Sequence, residues 1–109
     1  MATSYKVLGQ QAPASTSATL YTVPAATETV VSTINACNTG ASVTATIDIA
    51  IRPNGDTLVA KHYIVKSLSL SAGSTFTYTA GVTLDATDVI TVVSSTNDVA
   101  FSAFGSEIA

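Results

Sequence analysis

From Val43 to Ile51 the chain alternates, with Val43, Ala45, Ile47, Ile49 and Ile51 apolar, Thr44, Thr46 and Asp48 polar, and Ala50 small. A period of two predicts a β-strand with one face against a core. Arg52-Pro53-Asn54-Gly55-Asp56-Thr57 interrupts it: Pro53 cannot donate a ladder hydrogen bond, and Asn54-Gly55 tolerates positive φ. The alternation then resumes, with Leu58, Ala60, His62 and Ile64 on one face and Val59, Lys61, Tyr63 and Val65 on the other. The expectation is a hairpin over residues 42–65, closed by a tight turn.

The same reading divides the rest of the chain. Residues 1–17 are expected as an N-terminal arm and linker: Tyr5 and Val7 predict a short strand or an arm ordered against a partner, and residues 11–17 have a linker's composition. Residues 18–109 are expected as one domain. Strands are predicted at 19–23, stopped by Pro24, and at 28–38, with Val30, Ser32, Ile34 and Ala36 on one face and Val31, Thr33, Asn35 and Cys37 on the other. Gly40 is expected at positive φ in the next turn. Residues 66–70 continue the hairpin, and 74–80 form a strand with Phe76 and Tyr78 inward. Residues 82–88 read as a connection, with Leu84 plugging the core and Asp85 and Asp88 bonding backbone N–H groups. Strands at 89–95 and 99–104 precede a tail at 105–109. No segment has a helical period. The expected fold is all-β: a two-sheet antiparallel β-sandwich, jelly-roll-like, of about eight strands, with Ile47, Ile49, Phe76 and Val89 in its core.

Some apolar residues are left over. Phe101 and Phe104 are three apart, so a regular strand points them to opposite faces. With Val31, Tyr63 and Val65, and with Tyr5 and Val7 in the arm, they predict an interface. The candidate interface residues are Tyr5, Val7, Tyr63, Val65, Phe101 and Phe104, and the expected state is a homo-oligomer, a dimer or trimer.

Composition sharpens this picture. Of 109 residues, 47% are hydrophobic and 10% charged, against about 25% charged in an ordinary domain. A surface so poor in charge suits a protein covered by neighbours. Lys6, Arg52, Lys61 and Lys66 are the only bases in a chain of net charge −3. Four scattered positives cannot track a phosphate backbone, so no nucleic-acid partner is expected. No apolar run approaches the ~18 residues of a membrane span, no signal peptide is visible, and Cys37 has no partner for an intrachain disulfide. Synthesis in a reducing cytoplasm is the expectation.

Candidate chemistry is sparse. His62 is the only histidine and is expected as a half-buried structural residue, since a metal site would need further His or Cys beside it. No Gly-x-Ser-x-Gly elbow occurs. Asp85 and Asp88 lack the further oxygen donors of a calcium loop and read as turn residues. Asp48 is expected to face outward, where it could pair with Lys61, and Cys37 to pack as a small hydrophobe. The expectation is a protein that is not an enzyme, with no catalytic, cofactor-binding or metal-binding residues.

Four stretches together carry a resemblance: LYTVPAATETVVSTINACNTG (20–40), IAIRPNGDTLVAKHYIV (49–65), GVTLDATDVITVVSST (81–96) and FSAFGSEI (101–108). Nearly the whole chain thus resembles a group of small virion structural proteins of tailed bacteriophages, cyanophages among them. The resemblance implies a virion component at the capsid surface: a cement (decoration) protein that binds the major capsid protein from outside the shell. A tail or baseplate component is the alternative it leaves open. A glycan-binding surface module is a third reading, against which stand the absence of Trp and the presence of only 4 Tyr and 3 Phe.

Overall fold

A computed structural model describes residues 2–13 and 16–109. Among the described residues there are nine strands: β1 (Thr3–Gln11), β2 (Ser17–Thr22), β3 (Glu28–Asn38), β4 (Ala45–Arg52), β5 (Tyr63–Leu70), β6 (Thr75–Tyr78), β7 (Val82–Leu84), β8 (Val89–Ser94) and β9 (Val99–Ile108). Pro13, Pro24 and Pro53 all fall in connections, as a residue without an N–H must where every strand is paired. Two segments expected as irregular are strands: β7 arises from the supposed 82–88 connection, and β9 continues through the supposed tail to Ile108.

One sheet has the order β1-β9-β3, with β6 and β7 sharing the far side of β3; the other has the order β2-β8-β4-β5. Every pairing is antiparallel, and the pairs are nested: β1 with β9, β2 with β8, β3 with β6 and β7, and β4 with β5. The chain is therefore one long ribbon of strand pairs rolled into two sheets, the topology of a jelly roll. The expected all-β sandwich is the fold found.

The core lies between the sheets. Ile34, Ile47, Ile49, Ile90, Val92, Val99 and Phe101 are fully buried there. Ile47 and Ile49 are where the alternation placed them. Phe76, on edge strand β6, is only half-buried against this cluster. Val89 is buried, but its alternation with Ile90 turns it to the opposite face of the sheet, close to Gly55.

Bulges overturn two predicted faces. Against β9, the register of β3 slips between Val31 and Thr33, so Ser32 is an extra residue. A bulge reverses the alternation. Val31 and Ile34 therefore both point into the core, and Val31 is not a leftover surface residue. β1 slips at the same level, between Val7 and Gly9. On β5, two residues, Lys66 and Ser67, stand opposite Asp48. Ser67 adopts φ 53°, and its freed N–H donates to Asp48 Oδ1 at 2.7 Å. Asp48 is therefore largely buried and pairs with Lys66 at 3.3 Å, not with Lys61.

The hairpin is not closed by a tight turn. Asn54 and Gly55 do adopt positive φ, 55° and 67°. Yet β5 begins only at Tyr63, and residues 53–62 form a flap with two short 3-10 turns, Pro53–Gly55 and Ala60–His62. The flap folds over the outer face of β4 and β8, where Ala50 and Thr91 are 1% and 6% exposed. Arg52 staples it: Nε donates to Thr91 Oγ1 at 3.0 Å, and Nη1 to the carbonyls of Gly55 and Asp56 at 3.3 and 3.0 Å. The flap's alternation mimics a strand because it buries residues of its own. His62 is buried, with Nδ1 accepting the Val59 N–H at 3.1 Å, and does not share a strand face with Leu58 and Ile64.

Gly40 does not take a positive φ. It is confined instead by space, since a Cβ there would lie 2.9 Å from Asp98 Oδ2 and 3.1 Å from Asn38 Oδ1. Asn38 is fully buried and fully bonded: Nδ2 donates to the carbonyls of Val43 and Leu70, and Oδ1 accepts the Gly40 N–H.

Candidate interaction surface

The register of β1, β9 and β3 builds an outward-facing strip. Val7 lies beside Phe104, which lies beside Thr33; Tyr5 beside Ser106, beside Val30; Thr3 beside Ile108, beside Glu28. Alternation points these residues away from the core, because Lys6, between Tyr5 and Val7, reaches inward to Glu107. Tyr5 is 85% exposed, Val7 50% and Val30 37%, while Phe104 and Ile108 are half-buried. The strip carries five apolar side chains on three adjacent strands, with Glu28 at one end and the hydrogen-bonded pair Gln10–Ser102 at the other. An apolar strip with a polar rim is what a protein–protein contact requires.

A part-buried network fixes the strand that carries Tyr5 and Val7. Glu107 on β9 faces inward, and Lys6 Nζ lies 2.6 Å from its Oε1. The Tyr21 hydroxyl, from β2 of the other sheet, donates to Oε2. With its proton so used, Tyr21 accepts from Thr29 Oγ1 at 2.9 Å. Burial and the bond to Glu107 push the Tyr21 hydroxyl up to about 12. Lys6 and Tyr21, both bonded to the Glu107 carboxylate, hold it below the usual range. Three strands thus meet at one carboxylate, and Thr29 on β3 joins them through the Tyr21 hydroxyl. Nothing in the sequence marks this group, because its members share no local pattern.

Of the six expected interface residues, Tyr5, Val7 and Phe104 come together on the strip. Phe101 does not: it is fully buried in the core, because regular alternation from Phe104 turns it inward. Val65 packs against the core beside Ile49. Tyr63 lies half-buried on the other sheet, opposite Ala50, with Lys66 Nζ 4.6 Å above its ring. The expected interface set left out Val30 and also Ile108, which the sequence allows as either core or contact. The Ser32 bulge hid the first, and the continuation of β9 past Phe104 hid the second.

The remaining candidates are structural. Asp88 accepts the N–H groups of Asn54 and Asp85, each at 2.8 Å, and Asp85 accepts that of Ala86 at 2.8 Å, as turn residues do. Cys37 is half-buried and unpaired. Among the described residues, no three His, Cys, Asp or Glu side chains gather as metal ligands would, and no helix is long and apolar enough to cross a membrane. In comparisons with protein-family models, curated proteins and solved structures, the chain matches none.

Proposed function

We propose that this is a virion structural protein, a cement that binds the outside of a tailed-phage capsid through the outer face of the β1-β9-β3 sheet. The observation that carries the reading is the strip of Tyr5, Val7, Val30, Phe104 and Ile108 on strands locked together by main-chain pairing. It supports docking because a rigid sheet face loses little conformational entropy on binding. The resemblance described for residues 20–108 supplies the partner, the major capsid protein. The fold does not decide this, because jelly rolls serve capsids, lectins and enzymes alike.

In this reading the protein acts as a dimer or trimer, and each copy needs only modest affinity. A shell repeats its binding site many times, and an oligomer engages several sites at once, so weak contacts sum to firm attachment. Bridging neighbouring capsomers then raises the temperature at which the shell ruptures. β1 is a paired strand of the sandwich, so the docking element is a formed sheet face and not a loose arm.

Gold labelling of the protein on intact particles tests the location. Label spread over the shell is expected. Label confined to the tail would replace the cement reading with that of a tail or baseplate component.

A further inference from the structure

We propose that Arg52 and the notch beside it bind a carboxylate, the side chain of an Asp or Glu presented by a partner protein. The notch lies on the outer face of the second sheet, opposite the apolar strip, and the proposal does not depend on that strip. It is about 240 Å³ and is lined by Ser17, Ala18, Thr19, Arg52, Leu58 and Thr91.

Three observations point to an acidic occupant. First, Arg52 is half-buried and has no carboxylate within 4 Å; among the described residues the ion pairs are Lys6–Glu107 and Lys66–Asp48. Its bonded partners are all neutral, so its positive charge is left for an anion to meet. Second, its own bonds leave capacity. Nε and Nη1 are taken by Thr91, Gly55 and Asp56, while Nη2, with two N–H groups, has no acceptor among the described residues. Those bonds also hold the guanidinium still, so a ligand would not have to order it. Third, Ser17, Thr19 and Thr91 supply hydroxyls around it. Thr19 and Thr91 are cross-strand neighbours on the same face.

Size selects among carboxylates. The notch is smaller than the 300 Å³ or so at which small-molecule pockets begin. It has room for a carboxylate on one or two methylenes. With Nη2 the one nitrogen left over, a carboxylate takes a single charge-assisted hydrogen bond, which the guanidinium's charge makes stronger than the bond to a neutral amide.

The test is nuclear magnetic resonance of the 15N-labelled full chain, titrated with short peptides. One peptide carries a single Glu with both ends blocked. The second has Gln in place of Glu and blocked ends. The third is the Gln peptide with a free C-terminus. The Glu peptide is expected to give saturable shifts at residues 17–19, 52, 58 and 91, and the blocked Gln peptide none. Arg52→Gln should weaken binding at least about tenfold, the loss of one charge-assisted hydrogen bond. Because Arg52 also staples the flap, the amide signals of Asn54 and Val59 report whether the flap stays closed. Leu58→Trp, which fills the notch and leaves Arg52 in place, should abolish the shifts as well. The proposal is overturned if the Glu and Gln peptides bind alike, if only the free C-terminus binds, or if Leu58→Trp binds as the wild type does.

Discussion

The Tyr21 hydroxyl donates to the Glu107 carboxylate, and this single bond joins β2 of one sheet to β9 of the other. Lys6, on the opposite oxygen, brings β1 into the same network. The strand that displays Tyr5 and Val7 is thus held by a part-buried ion pair as well as by its main-chain ladder.

That network sets a pH window. The Glu107 carboxyl is lowered in the folded state, so its contribution is present above its ordinary value near 4.5 and is lost as pH falls through the folded value. The Tyr21 hydroxyl is raised from 10.0 to about 12, so its contribution is present below pH 10 and is lost as pH rises towards about 12. Thermal melts across the pH range should show both losses. Glu107→Gln should remove the acidic one, and Tyr21→Phe the alkaline one at a cost of about 1–3 kcal/mol at neutral pH. An unchanged alkaline limb in Tyr21→Phe would remove Tyr21 from the network.

Asn38 makes a second test. Asn38→Ala strips partners from the carbonyls of Val43 and Leu70 and from the Gly40 N–H. Buried groups left unsatisfied cost about 1–3 kcal/mol each, so a loss of at least about 2 kcal/mol is expected in urea unfolding. An exposed neighbour, Thr39→Ala, should cost less than about 1 kcal/mol.

Gly105 is required for contact, not for its backbone angles. A Cβ there would lie 2.0 Å from the Val30 carbonyl oxygen, where bulged β3 presses on β9. Gly105→Ala must force the two strands apart and should cost about 1–3 kcal/mol or more. Gly81→Ala meets no atom within 4 Å, and its strain is confined to a φ of 64°. Comparing their melting temperatures checks this: Gly105→Ala is expected to be the more destabilised.

These particulars show what local pattern can carry. The run from Ala45 to Ile51 was legible because β4 is central and its inner face lies in the apolar core. The inward placement of Val31 was not. One extra residue at Ser32 reverses the alternation, and a bulge leaves no mark in composition. The flap misled for a different reason. Residues 58–62 alternate like a strand, but their partner is the outer face of β4 and β8, which a two-face reading treats as open to water. Of the candidate surface, Tyr5, Val7 and Phe104 were readable as surplus apolar residues. That they are neighbours depends on β1 pairing with β9 across nearly the whole chain length.

The central claim is that the β1-β9-β3 face docks on a capsid shell. Tyr5 and Val7 are the residues to change, because both are exposed and their loss should spare the core. The decisive measurement is co-sedimentation of labelled protein with purified, undecorated shells, wild type against the double substitution Tyr5→Asp/Val7→Asp. The account predicts saturable binding by the wild type, and binding at least about tenfold weaker by the variant at an unchanged melting temperature. Equal binding by the two proteins, or no binding of the wild type to shells, would contradict it.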